Sequence, residues 1–305
     1  MEKNSIIFGP IPSRRFGLSL GVDLSPSKKQ CNFDCLYCEL KGSSTVAVQT
    51  NSLAIKEIID ELKSALKKHK TLDVITFTAN GEPTLYPYLN ELVTRIDKIK
   101  GDIKTLILSN GANIYKKDIQ EILSKIDIVK LSLDCVSQKC FKKLDRVDSS
   151  VNCNKIIDGM IKFSHKYSNH LVIEILFVKN LNDNEEELSL LYESLKKINP
   201  SRVDIGTIDR PPAYDVQPVS YDFLTKVANR FENLPVVITH KNIIKNLQYF
   251  TEEEILNLLS RRPLTKNDIE HIFDNKSKTN LETLLQGKTI DIKNNNGVDF
   301  YSIRR

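Results

Sequence analysis

No apolar run in this chain approaches the roughly 20 residues that cross a bilayer. The opening residues, MEKNSIIFGP, lack the cationic start and apolar core of a secretory signal. Together these absences lead to the expectation of a cytoplasmic protein with no membrane partner. Cysteine is also scarce, and six in 305 residues are too few for a disulfide scaffold. None precedes Cys31. The five histidines (His69, His165, His170, His240 and His271) form no H-x3-H pair, so an imidazole-based zinc site has no sequence support. No internal repeat or low-complexity tract occurs. The net charge of +5 allows an acidic or phosphate-bearing partner without requiring one. With 40% hydrophobic and 27% charged residues, the chain has ample material for a buried core.

Against that scarcity, three cysteines crowd into Cys31-Asn-Phe-Asp-Cys35-Leu-Tyr-Cys38, a C-x3-C-x2-C pattern. Such clustering points to metal ligation. A cubic [4Fe–4S] cluster has four irons, so three thiolates leave one iron open to a small molecule. A structural zinc site would need a fourth ligand, and none lies nearby. Cys135, Cys140 and Cys153 match no compact ligand spacing. They are expected to pack as small hydrophobes, with a second metal site as the alternative.

Short apolar runs alternate with helical patterns from Leu18 to about Ile238, as in a parallel α/β fold. The expected strands are Leu18–Asp23, Val74–Thr78, Thr105–Ser109, Ile128–Leu133, Leu171–Val178 and Val203–Ile208. Between them, Ile55, Ile58, Ile59, Leu62 and Leu66 share one helix face, and Leu188, Leu191, Leu195 and Ile198 another. Polar turn residues follow the strands, among them Asn80-Gly81-Glu82-Pro83, Asn110-Gly111, Asp134, Lys179-Asn180 and Asp209-Arg210. The carboxyl ends of parallel strands carry the chemistry, so these should meet at one mouth. After Phe250 three short helices are expected, with Thr265 and Ser277 as caps and Gly287 as a stop. Strands Thr289–Lys293 and Val298–Ile303 then flank an Asn294–Gly297 turn. That order is a winged helix-turn-helix. Two domains are therefore expected, at 1–240 and 251–305.

C-x3-C-x2-C with Tyr37 ahead of its last cysteine resembles the signature of the radical S-adenosylmethionine (SAM) superfamily. The resemblance implies an α/β partial (β/α)6 barrel, which the count of six strands suggests independently. It also implies that Cys31, Cys35 and Cys38 hold one [4Fe–4S] cluster and that SAM binds the open iron. Gly81-Glu82-Pro83 matches the glycine–glutamate element that receives the SAM amino group, with Asn80 at the usual first position. Ser109, Asn110, Ser132 and Asp134 stand where further SAM contacts lie, and Tyr37 is placed beside the same cofactor. Residues 9–17 and Gly-Glu-Pro-Thr at 81–84 resemble a branch related to the wybutosine-pathway tRNA enzymes, in which a winged-helix tail is also common. The absence of cysteine before Cys31 sets the chain apart from the wybutosine enzyme, which builds a second cluster there.

What the resemblance implies chemically is reductive cleavage of SAM to methionine and a 5′-deoxyadenosyl radical, which abstracts hydrogen from a substrate. A flavodoxin or ferredoxin-type electron donor is implied as partner. Arg14, Arg15, Lys179 and Arg210 are candidate grips for an anionic substrate, such as RNA or a polypeptide. The alternative is an iron–sulfur redox-sensing regulator that binds nucleic acid and leaves SAM intact. Residues 251–305 carry five Lys and four Arg against four Asp and five Glu, a neutral balance that disfavours a nucleic-acid footprint.

Overall fold

The structure, a computed structural model, describes residues 5–13, 15–149, 151–238, 246–295 and 297–304. Runs such as Val-Ile-Thr-Phe-Thr and Ile-Val-Lys-Leu-Ser form strands because β-branched side chains suit a pleated surface covered on both faces. Six parallel strands fall on the six expected segments: β2 (Gly17–Asp23), β3 (Val74–Thr78), β4 (Lys104–Ser109), β5 (Ile128–Ser132), β6 (His170–Phe177) and β7 (Arg202–Thr207). The sheet also extends one strand further at each edge. β1 (Ile7–Ser13) runs antiparallel to β2, and β8 (Val236–Ile238) parallel to β7. β1 escapes a sequence reading because Pro10 and Pro12 look like turn residues. An edge strand tolerates them, since only one side of its backbone must pair. β8 is simply too short to show a period.

The order β1 to β8 follows the chain without a crossover out of sequence, giving an open sheet, parallel from β2 to β8, consistent with a partial barrel. Outside it lie α1 (Ile55–Lys68), α2 (Leu89–Asp97), α3 (Lys117–Leu123), a single turn α4 (Gln138–Cys140), α5 (Cys153–Ser164), α6 (Glu185–Ile198) and α7 (Tyr221–Arg230). α1 buries Ile58, Ile59 and Leu62, the stripe read from the sequence. α6 starts at Asn184, whose side chain accepts the Glu187 amide. Among the described residues, no helix is long and apolar enough to cross a membrane.

Beyond residue 250 come α8 (Glu252–Arg261), β9 (Leu264–Thr265), α9 (Lys266–Ile272), α10 (Asn275–Gln286), β10 (Ile290–Asn295) and β11 (Val298–Ile303). The three strands pair in the order β10-β11-β9. Phe250, Ile255, Leu258, Ile269, Phe273 and Leu281 form their own core, against which Phe8 and Ile11 of β1 also pack. Thr265 caps α9 as expected. Ser277 does not cap α10. Asp274 does, and the Ser277 amide and hydroxyl both donate to its Oδ1, at 2.8 and 2.7 Å.

Candidate active site

The cysteine segment leaves the carboxyl end of β2 and is tied down on both sides by backbone hydrogen bonds. Gln30, just ahead of Cys31, donates to the Asn80 carbonyl and accepts from the Glu82 amide, each at 2.9 Å. This bridge explains Gly81. Its φ is +136°, and a Cβ there would sit 1.9 Å from the Gln30 carbonyl oxygen, so no side chain fits. On the far side, Asp34 and Leu36 donate to the carbonyls of Asp145 and Leu144 at 3.0 and 2.9 Å. The Cys38 carbonyl accepts from Ala213, in the segment after β7, at 2.8 Å. Loops after β2, β3, β5 and β7 are thereby joined around the three thiols.

Cys31, Cys35 and Cys38 all stand on the wall of one cavity of about 570 Å³. Tyr37, Gly81, Glu82, Ser109, Asn110 and Ser132 share that wall. Burial is the main force raising the thiols, Cys31 up to about 12 with the Glu82 carboxylate adding to it, Cys35 well above the ordinary value and Cys38 upward. Thiols in such surroundings become thiolates when a cation binds them. Three soft donors without a fourth cysteine in the same loop therefore fit a [4Fe–4S] cluster with one iron left open.

Glu82 is the hub of the neighbouring wall. It is 2% exposed, and burial raises its carboxyl pKa. Its Oε1 accepts from the Thr84 amide (2.9 Å), the Thr84 hydroxyl (2.6 Å) and the Ser109 hydroxyl (2.7 Å), and its Oε2 from the Asn110 amide (2.8 Å). Ser109 thus orients Glu82, and its own oxygen accepts the Gly111 amide at 3.1 Å. Asn110 Nδ2 donates to Asn32 Oδ1 at 2.7 Å and lies 3.6 Å from Cys31 Sγ.

The remaining expected contacts divide. Asp134 is buried behind the cavity wall, where its carboxylate accepts from the Tyr37 hydroxyl and, at 2.6 Å, from the Leu176 amide. Burial raises its pKa to about 7. Asp134 therefore holds Tyr37, between two cluster cysteines, in place of facing a sugar. Lys179 is exposed and does not stand on that cavity's wall. Arg15 turns inward, with Nη1 2.5 Å from Asp204 Oδ2 and 3.2 Å from Glu174 Oε1. Arg210 reaches the cavity wall paired with Glu39 at 2.9 Å. Arg14 lies outside the described residues.

Several residues that shape the site carried no signal in the sequence. Asp34 accepts from Tyr214 at 2.5 Å and Lys29 at 3.1 Å, while the Arg146 guanidinium covers the Tyr214 ring at 4.6 Å. Their separation along the chain hides them, because only folding sets residue 34 against residue 214. Cys135 and Cys140 form a disulfide, and the buried Cys153 thiol donates to the Val136 carbonyl. The disulfide is not what their spacing predicts, and only Cys153 packs as a buried free thiol.

Three half-buried thiols beside a strand-end carboxylate hub, on a mostly parallel open sheet, define an iron–sulfur enzyme built on a partial barrel. The chain belongs to the radical SAM superfamily, whose pattern matches residues 26–191, and within it to the UPF0026 family. It is 44% identical over 303 residues to the UPF0026 protein of Helicobacter pylori (strain ATCC 700392 / 26695), covering 98% of each chain. Among solved structures, a radical SAM methyltransferase from Sphaerobacter thermophilus superposes with a TM-score of 0.58 at 14% identity, over 72% of this chain and 65% of the other. TYW1 with a lysine-pyruvate adduct bound gives 0.54 at 16% identity, over 74% and 76%. At such identities these two show the shared fold. The chain is a radical SAM enzyme.

Proposed function

We propose that Cys31, Cys35 and Cys38 hold one [4Fe–4S] cluster and that SAM occupies the 570 Å³ cavity beside Gly81 and Glu82. The observation that carries this reading is the Gln30–Gly81 bridge, which sets the first cysteine and the glycine–glutamate element side by side on one wall. When bound, the cofactors would supply one-electron reductive chemistry that ends in removal of a hydrogen atom from the substrate, with Cys31, Cys35 and Cys38 holding the cluster and Gly81 and Glu82 beside SAM. The protein's own part is positional. Gly81 lets two backbones meet, Glu82 gathers four donors, and Asn110 braces Asn32 next to Cys31. Ser132, Ser109 and Asn110 offer hydroxyl and amide groups along the cavity wall.

A small flavodoxin or ferredoxin is the expected electron donor, since the cleavage needs an electron from a strong reductant. Helix–strand–helix–helix–hairpin after residue 250 has the order of a winged helix, and we read it as one. Anaerobic reconstitution tests the enzymatic reading. Protein loaded with iron and sulfide, given SAM and a strong reductant, should release 5′-deoxyadenosine and methionine. A full cluster with no cleavage product would sink it.

A further inference from the structure

The cysteine loop has two sides. One faces the cavity. The other is packed on the segment after β5, where α4 runs on into a wider π turn, Phe141–Asp145. The carbonyls of Leu144 and Asp145 accept the Leu36 and Asp34 amides, so this segment holds the chain on either side of Cys35. No residue from 136 to 147 stands on the cavity's wall. Cys140, Phe141, Leu144 and Asp145 are buried, whereas Lys139, Lys142 and Lys143 are exposed. Positions i, i+3 and i+4 share a helix face, and here that face is turned to solvent.

Arg146 ends this stripe and is already engaged, 3.5 Å from Asp34 Oδ2 and stacked over the Tyr214 ring. The three lysines differ from it, since among the described residues none of them has an ion pair. The one acid between residues 136 and 147 is Asp145, which is 1% exposed and offers them no surface partner. Like charges three and four residues apart repel, so the cluster by itself opposes the local helix by a few tenths of a kcal/mol, about the size of an i,i+4 pair. An anionic partner would reverse that sign. A polyanion such as tRNA fits the surface badly, because phosphates spaced along a strand need a long basic track and the C-terminal segment is neutral.

We infer that Lys139, Lys142 and Lys143 form the docking surface for a small electron-carrier protein that presents carboxylates around its redox group. Substrate and SAM fill the cavity side of the cysteines, so the electron has to arrive from the other side, and that side is the segment carrying the stripe. One electron passes, so the carrier is oxidised by one and the cluster reduced by one. Contacts of this kind are small and short-lived, and complementary charge governs how fast they form. The inference rests on the radical SAM reading for the need of an electron, but its binding test does not.

The test sets two reductants against each other on the reconstituted full chain. One is an acidic flavodoxin kept reduced by NADPH and its reductase; the other is dithionite, which needs no docking. Lys139→Glu, Lys142→Glu and Lys143→Glu combined should slow flavodoxin-driven release of 5′-deoxyadenosine at least about tenfold, the low end of electrostatic steering. Bound iron and the dithionite-driven rate should stay as they are, and thermal unfolding reports whether the variant is folded. The three Lys→Gln changes should cost less than the three Lys→Glu. Rising ionic strength should slow the original chain with flavodoxin and barely affect the Glu variant. Binding of the flavodoxin, followed by its flavin fluorescence anisotropy, should weaken in the same order. Equal flavodoxin-driven rates in a folded Glu variant overturn the inference, as does an equal loss with both reductants at full iron. Loss of tRNA binding in a variant that still binds flavodoxin makes the stripe a nucleic-acid contact and overturns it too. Absence of cleavage with either reductant overturns the radical SAM reading instead. The anisotropy result then decides the stripe, with unchanged flavodoxin binding in the Glu variant counting against it.

Discussion

Gly81 shows how little room the site allows at the level of one residue. A methyl group in place of its hydrogen meets the Gln30 carbonyl at 1.9 Å, and backbone cannot yield as a side chain can. Gly81→Ala should cost at least about 2–3 kcal/mol of stability through overpacking and the positive φ, measured by chemical denaturation. It should also lower the iron bound per chain on reconstitution, because the Gln30 bridge holds the residue next to Cys31. The cysteines themselves allow a sharper contrast. Replacing Cys31, Cys35 or Cys38 by Ala should remove most of the bound iron, whereas Cys153→Ala should keep it. Iron analysis after desalting tells the two groups apart, and equal loss in all four would contradict the assignment of ligands.

Among elements, the contact between α8 and the ends of β1 and β2 matters most. Arg261 lies in a largely buried pair with Asp23, whose carboxyl is raised by burial despite the guanidinium beside it. Removing one partner strands the other, so Arg261→Ala should cost about 3 kcal/mol. Arg261→Met combined with Asp23→Asn should recover part of that loss, and a double-mutant cycle would give the coupling. The same interface has a pH signature at Glu254. Burial opposes its charge, yet Lys68 at 2.5 Å and the Thr251 cap bring its pKa below the ordinary glutamate value. Its folded pKa is depressed, so its contribution is full above pH 4.5 and is lost as pH falls below that. Glu254→Gln should therefore flatten the acid limb of the stability profile while changing little at pH 7.

At the scale of the molecule, charge decides what the protein can hold. The net charge of +5 lies wholly in residues 1–250, because the C-terminal segment is neutral. Affinity for tRNA at physiological salt should be no tighter than the non-specific range of about 10⁻⁴–10⁻⁶ M, with a shallow salt dependence. A steep slope in filter-binding assays would contradict this. The six inner strands were legible because strands buried on both faces read as apolar runs. β1 was not, because its prolines look like turns until a neighbour's hydrogen bonds are known. Arg15 looked like a surface grip, and only Glu174 and Asp204, far along the chain, turn it into an internal ion pair. Asp134 ended a strand as a ligand should, yet its partner is Tyr37, 97 residues away.

Local chemistry was present in the chain before folding: three thiols at spacings that suit metal ligation, and helices that announce their caps. These depend on neighbours within a few residues, which a sequence displays. Tertiary structure alone decided that Ser109 and Asn110 serve Glu82, that Asp134 stands behind the wall, and that Arg15 turns inward to Glu174 and Asp204. Each depends on which distant segment arrives to desolvate or pair with it, and burial and Coulomb forces act through space, without regard to chain order.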